Sequence, residues 1–450
     1  MTHSLRIAVI GAGISGLSAA WLLSRRHQVT IIEAEARAGG HSNTVDVHAK
    51  GRVVPVDTGF IVYNPPSYPN LVALFEHLAV PTAATNMSFA VSMDRGTYEY
   101  AGSGLSTVFG QLRNIARPEH WRMVFDTVRF FREAKELLAV GPDEGEPLGA
   151  YLHRRGYSAA FVSRHIEPMA AAIWSTPAGK VLDFPAAAFV RFFSNHGLLA
   201  LRDRPEWRTV VGGSREYVRR LLADTQGKCE LGIPARKIFR HPDQVTVVSA
   251  GGSRDFDACV IATHADDTLA LLGDADGDER DVLGAFRYGA NRAVLHGDAR
   301  MMPRRRRLWS SWNYLGGADS APPAACVTYW MNRLQPLGPD APEYFVTLNP
   351  GVELDRSKIA VEFEYAHPVF DADAMRAQRQ LWRLQGRRKT WFCGSYFGYG
   401  FHEDGLQSGL AVAEDIGGVR RPWSVPNESS RIHIFPAADR SRRNLPEAAE

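Results

Sequence analysis

Cysteine is scarce in this chain. The four present in 450 residues, Cys229, Cys259, Cys326 and Cys393, form no C-x-x-C pair and no other metal-ligand spacing. That excludes a disulfide framework, gives no sign of a metal site, and fits a reducing cytoplasm. Long apolar runs are also missing, and none approaches the roughly twenty residues of a membrane span. Any membrane contact would therefore be peripheral, at the inner membrane surface. An excess of charge of one sign is absent: 52 basic against 49 acidic side chains leave +3, too little to argue for nucleic acid. No basic segment precedes the first apolar stretch, so that stretch does not read as a signal peptide.

What the chain does have begins at residues 5–41, LRIAVIGAGISGLSAAWLLSRRHQVTIIEAEARAGGH. An apolar strand enters the turn Gly11-Ala12-Gly13-Ile14-Ser15-Gly16. A helix of small residues follows, then a β-branched strand ending at Glu33. This is a βαβ unit with G-x-G-x-x-G between strand and helix. Gly11 permits the tight turn, Gly13 lets a pyrophosphate approach the backbone, and Gly16 lets helix and strand pack closely. The helix N-terminus then faces the phosphates, and Glu33 is placed for a ribose hydroxyl.

Arg37-Ala38-Gly39-Gly40 makes a second glycine turn. It resembles the extension found in FAD-binding flavoproteins of the superfamily of flavin amine oxidases and phytoene desaturases. Amine oxidases usually place Arg after the two glycines; here it is His41. The strand Val56-Asp57-Thr58-Gly59-Phe60 and the segment Gly212-Gly213-Ser214 resemble further cofactor-domain segments of that superfamily. So does residues 394–405, GSYFGYGFHEDG, where Ser395 stands in place of the family's acid for the ribityl chain. With Ser310-Ser311-Trp312-Asn313-Tyr314, these marks are similar to bacterial NAD/FAD-binding proteins of the superfamily. Genes for such proteins often lie beside methyltransferases resembling cyclopropane fatty acid synthases, which points to acyl lipids.

The resemblance implies an α/β fold: a Rossmann-like FAD-binding domain plus a substrate domain of helices and an antiparallel sheet. The FAD-binding domain would comprise residues 1–80, 206–287 and 388–420, the substrate domain 81–205 and 288–387, with a loose polar tail at 421–450. It implies FAD held non-covalently by Gly11, Gly13, Ile14, Ser15, Gly16, Glu33, Ala34, Arg37, Gly39, Gly40, His41, Thr58, Gly59, Phe60, Ala235, Thr263, Gly394, Ser395, Gly405 and Leu406. The helix beginning near Gly405, capped by Asp404, would point at the flavin.

Between these marks the pattern is local. Residues 68–79 read as a helix and 87–100 as a hairpin turning at Asp94-Arg95-Gly96. Pro118 opens a helix with Trp121, Val124, Phe125, Val128 and Phe131 on one face. That face either packs into a substrate domain or meets lipid, with basic residues as anchors. Residues 148–195 read as helices broken at Pro168, Pro177 and Pro185, rich in Phe and Trp. Strands are expected at 245–248 and 256–262, a loop at the acidic stretch 274–281, and clean alternation at 358–365. The basic run at 303–307 beside Trp309 reads equally as a solvated loop or a membrane anchor.

Three functions remain open. One is an FAD-dependent desaturase or dehydrogenase of a fatty acyl or phospholipid chain; another is a flavin amine oxidase. The third is a non-redox protein, a flavin-dependent isomerase or a lipid-binding protein. The expected partner is a small hydrophobic substrate. If residues 394–405 pass beside the flavin, His402 is the candidate for proton handling, since its ordinary pKa lies near neutrality and Glu403 is adjacent. Tyr396 and Tyr399 would wall the cavity.

Overall fold

The structure is a computed structural model that describes residues 4–141, 146–174, 178–199, 204–317 and 326–435. Its centre is a five-stranded parallel sheet in the order Thr390–Phe392, Ala258–Ile261, Arg6–Ile10, Gln28–Ile32, Gly227–Glu230. The three inner strands are short apolar runs buried on both faces, as a parallel sheet requires, whereas the edge strand Gly227–Glu230 is polar and partly exposed. Ile7, Ala8 and Val9 are fully buried, with Ile7 opposite both Val29 and Ala258.

The helix Ile14–Leu23 is buried along its whole length. It packs on the sheet and against the C-terminal helix His402–Ile416, and glycines set the spacing. A Cβ on Gly16 would stand 2.0 Å from the Gly11 carbonyl oxygen, and one on Gly409 would stand 2.2 Å from that of Ser15. Gly417 and Gly418, both at positive φ, end the C-terminal helix.

A three-stranded meander, Ala235–Arg240, Val245–Ser249 and Gly252–Phe256, flanks this sheet. The strand expected over 256–262 is two strands. Asp257 breaks it by exchanging bonds with Arg6: its N–H donates to the Arg6 carbonyl at 2.8 Å, and its carboxylate accepts the Arg6 N–H at 2.7 Å. Ala258–Ile261 then joins the main sheet. The acidic stretch expected as a loop contains the helix Gly277–Leu283. Asp276 and Glu279 form a reciprocal capping box there, while Asp274 and Glu279 hold the buried Arg240 guanidinium.

The second sheet has seven strands: Ile359–Val369, Arg287–His296, Phe345–Leu348, Cys326–Trp330, Trp312–Gly316, Phe89–Met93 and Tyr98–Ala101. It is not wholly antiparallel, because Trp312–Gly316 runs parallel to Phe89–Met93. Phe89–Met93 and Tyr98–Ala101 form the expected hairpin, whose turn holds Asp94, Arg95 and Gly96 at positive φ.

A helical layer closes the far side, with Phe130, Phe161, Phe189 and Phe193 at its centre. A π turn, Val162–Ile166, leads into Glu167–Trp174, so Pro168 falls in a first turn rather than at a break. Pro177 and the Trp174 side chain lie outside the described residues. The helix Pro118–Glu133 is rotated from the expected face. His120, Met123, Asp126, Phe130 and Phe131 are buried, whereas Trp121, Phe125 and Val128 are exposed. Hydrogen bonds make the polar buried face tolerable: His120 Nδ1 to the Tyr98 hydroxyl at 2.8 Å, and the Ser158 N–H to Asp126 at 2.9 Å.

Two further segments, one basic and one C-terminal, are tied into the fold. In the basic run, Arg305 pairs with buried Glu99 at 2.7 Å, Arg306 pairs with Glu343 and lies over Trp309, and Arg307 donates to the Gly110 carbonyl. These three have protein partners, while the Arg304 side chain is exposed. Residues 421–435 are not loose: Arg421 donates to Asn70 and Glu414, and Arg431 pairs with Asp404 at 3.2 Å. Residues 436–450 lie outside the described residues.

Candidate functional site

A cavity of about 1740 Å³ runs from the first glycine turn to the helical layer. At one end the two glycine turns face each other. The Gly39 N–H donates to the Ala12 carbonyl at 2.8 Å, and a Cβ on Gly40 would stand 3.2 Å from the Gly13 Cα. Gly13 itself differs from its neighbours: a Cβ there would meet no protein atom within 4 Å, and its φ of −74 suits any residue. Nothing in the protein demands glycine at this position. The open space in front of it is what a side chain would fill, at a helix N-terminus without a side-chain cap.

Glu33 lines this end. Its carboxylate accepts the Ala12 N–H at 2.6 Å and the Glu35 N–H at 2.8 Å, which fixes its orientation towards the cavity. Arg37 donates to the Gly40 carbonyl at 2.9 Å and steadies the second turn. Ile14, Ser15, Ala34, Thr58, Gly59, Phe60, Ala235, Thr263, Gly394 and Ser395 also line the cavity. A dinucleotide cradle with a long extension beyond it fits FAD, and these are the residues that would hold it.

Three expected contacts fall elsewhere. Gly16, Gly405 and Leu406 do not line the cavity. Gly16 serves strand–helix packing, and a Cβ on Gly405 would stand 2.7 Å from Ser15 Oγ, so this glycine serves helix–helix packing. Leu406 is core. The C-terminal helix starts at His402 rather than near Gly405, and Asp404 caps it from inside by accepting the Tyr399 and Phe401 N–H groups at 3.0 and 2.8 Å.

His402 lines the cavity but is not poised to titrate. Its Nε2 lies 2.9 Å from both Ser42 Oγ and the Tyr217 hydroxyl, and its ring stacks on Phe60 at 3.8 Å. Burial holds its pKa down to about 3. Glu403 turns away from it, accepting from the Asn70 and Leu71 N–H groups and from Gln407. Tyr396 reaches the cavity wall but is nearly sealed between Phe286 and Phe397. Tyr399 lines the cavity beside Phe370.

The sequence reading missed an imidazole cluster. His41 lies 5.0 Å from Tyr365, 5.5 Å from His367 and 6.3 Å from His264, ring to ring. Burial, then the neighbouring imidazoles, push the His41 pKa well below its ordinary value; burial brings that of His367 to about 4. His41 Nε2 has no protein partner and lies in the cavity lining. The signal was available: Tyr365 and His367 continue the alternation of 358–365 two residues further along the same strand. Asp57 was read only as part of a motif. It is a buried hub accepting from Thr44, Ser214 and Gln335, and burial raises its pKa to about 6. His264, Asp266 and Asp267 also cluster, but both acids are exposed and His264 stacks on Tyr288 at 4.4 Å.

The wider end of the cavity is lined by Tyr100, Met123, Val124, Phe131, Met169, Ile173, Phe192, Leu198, Trp312 and Tyr329. The carboxylates among the lining residues are Glu33, Glu35, Asp267 and Glu364. None of these comes from the helices Pro118–Glu133, Glu167–Trp174 or Ala186–Asn195. Arg204 lines this end and is exposed.

A nucleotide cradle joined to an apolar cavity between a Rossmann sheet and a second sheet defines an FAD-binding oxidoreductase fold. The profile of the family described as flavin containing amine oxidoreductase matches residues 14–271. The chain belongs to this family, a class of FAD-dependent oxidoreductases. AofH of Mycobacterium tuberculosis, which carries the name of a flavin-containing monoamine oxidase, is 29% identical over 278 residues, covering 57% of this chain and 56% of AofH. The chain thus spans about half the length of that curated relative. Among solved structures, a CLA-producing fatty acid isomerase from P. acnes has a TM-score of 0.65 at 18% identity, covering 92% of this chain and 99% of that one. Putrescine oxidase bound to putrescine has a TM-score of 0.66 at 17% identity with the same coverage. These likenesses are of fold. Among the described residues no helix is long and apolar enough to cross a membrane.

Proposed function

We propose that this chain is an FAD-dependent dehydrogenase or desaturase acting on a fatty acyl chain, free or phospholipid-borne. Bound FAD supplies the hydride acceptor, chemistry that belongs to the cofactor. The protein binds and orients the substrate and keeps water out. Relatives of this fold carry names of both amine oxidases and a fatty acid isomerase, so fold leaves the substrate open.

The observation that carries the lipid reading is the lining of the wide end. Its helical walls offer apolar and aromatic side chains and no carboxylate to hold an ammonium. An acyl chain suits that arrangement, with its methylenes against Met169, Ile173 and Phe192. His165 and His196 in the same lining are buried and held neutral, at about 4 and about 3, so they add no charge. His402 holds Ser42 and Tyr217 in place beside Phe60, a positioning role.

Anaerobic mixing of the FAD-loaded protein with phospholipid or fatty acid in mixed micelles, and separately with primary and secondary amines, tests this. Bleaching of the flavin absorbance by lipid alone is expected. Bleaching by amines with none by lipid would overturn the reading in favour of an amine oxidase, and the aromatic lining with Tyr399 and Phe401 would then be the amine's surround.

A further inference from the structure

Six of the twelve large apolar side chains exposed among the described residues fall within a short stretch: Leu105, Leu112, Ile115, Trp121, Phe125 and Val128. They are well exposed, Leu105 at 77%, Leu112 at 68% and Phe125 at 66%. Ile115, Trp121 and Phe125 adjoin one another. Phe109 and Trp121 rings lie 4.7 Å apart, Trp121 and Phe125 rings 6.1 Å apart, and the Trp121 indole N–H donates to the Ile115 carbonyl at 2.9 Å. A contiguous apolar surface of this kind needs an occupant.

Its position and charge select one. Leu105, Val108, Val124 and Val128 belong both to this surface segment and to the cavity lining, so the patch adjoins the cavity. Trp121, Phe125, Val128 and Arg132 follow one line along the helix, at i, i+4, i+7 and i+11. The acids of residues 105–135 are spoken for: Glu119 pairs with Arg164, Asp126 with Arg129, and Glu133 with Arg129 and Arg155. Arg122, Arg132 and Lys135 are exposed and make no ion pair among the described residues. Residues 105–135 carry six Lys and Arg against three acids, a net +3 equal to that of the whole chain. Exposed aromatic and aliphatic groups bordered by free cations match the interface of an anionic bilayer, where the rings enter the headgroup boundary and the cations meet phosphate.

We propose that this surface docks the protein on an anionic membrane so that the cavity opens towards the lipid, a role that rests on the acyl-lipid reading for its purpose.

The test is flotation of the FAD-loaded full chain with vesicles of phosphatidylcholine alone and of phosphatidylcholine with phosphatidylglycerol. Binding to the anionic vesicles, weakened by salt, is expected. The triple variant Leu112→Ser, Ile115→Ser, Phe125→Ser removes exposed groups outside the cavity lining and should lose about tenfold or more in partitioning at unchanged melting temperature. Arg122→Glu with Arg132→Glu should lose the anionic preference. Absence of vesicle binding by the unaltered protein, or binding undiminished in the triple variant, would overturn the proposal. So would a dimer in sedimentation that the triple variant dissociates, since a second copy would then be the occupant. Docking is read without turnover. Vesicle binding with no flavin bleaching by lipid would sink the substrate reading alone, and bleaching by micellar lipid without vesicle binding would sink docking alone.

Discussion

The Tyr217 hydroxyl lies 2.9 Å from Nε2 of His402, joining the helix Arg215–Asp224 to the first residue of the C-terminal helix. Ser42 completes the triangle, 2.5 Å from Tyr217 and 2.9 Å from His402. Three chain segments thus meet at one buried imidazole. Tyr217→Phe should cost about 1 kcal/mol of stability and His402→Ala about 1–3 kcal/mol, because buried partners are left unsatisfied. The pH profile of flavin reduction should show no inflection that His402→Gln removes. Such an inflection near neutrality would return His402 to a proton-handling role.

Acid should destabilise the fold before most of its carboxylates protonate. His120, His165, His296 and His367 are held at about 4 by burial, and His196 and His402 at about 3. Each binds a proton less readily in the folded chain than in the unfolded one. Its contribution is complete above about pH 6.5 and is lost as pH falls towards those values, at up to about 1.4 kcal/mol per unit for each. Asp57, raised to about 6, works in the opposite sense and favours the fold as pH falls from 6 towards 4, as do the raised Glu167, Asp267, Glu403 and Asp404, but His41 and His264, also held low, add to the six imidazoles. The melting temperature should fall steadily from pH 7 to pH 5. A flat profile would contradict the burial of these imidazoles.

The two central glycines of the first turn should behave differently. Gly13→Val projects into space no protein atom occupies and should abolish FAD binding while the apo-protein keeps its melting temperature. Gly16→Ala puts a methyl 2.0 Å from a backbone oxygen and should destabilise the fold itself, by about 2 kcal/mol or more. Flavin content after gel filtration, measured beside thermal unfolding, separates them. A yellow Gly13→Val protein would refute the cofactor site.

Arg305→Ala should destabilise without affecting vesicle binding. Glu99 is fully buried, and besides Arg305 it accepts from Ser92 Oγ and the Arg304 N–H at 2.9 and 2.7 Å. Losing the guanidinium leaves a buried charge short of partners, at a cost of about 1–3 kcal/mol. Weakened flotation at unchanged stability would mean that this basic run, rather than the 105–128 surface, faces the membrane.

Sequence alone determined what is local. The βαβ unit, both glycine turns, the hairpin at Asp94-Arg95-Gly96 and the glycine stop at 417–418 are each set by residues a few positions apart, through backbone freedom and strand or helix period. The tertiary structure decided what depends on distant partners. The face that Pro118–Glu133 buries follows from Tyr98 and Ser158, which satisfy His120 and Asp126. Arg305 and Arg306 of the basic run at 303–307 pair with Glu99 and Glu343, which are distant in sequence. His402 lost its ordinary pKa to burial, packed against Phe60 and bonded to Ser42 and Tyr217, all supplied from elsewhere in the chain. A side chain's hydrogen-bonding and ionising capacity is written in its type, but its partners and its desolvation exist only after folding, and those fix which groups hold the fold and which remain exposed to meet a ligand or a membrane.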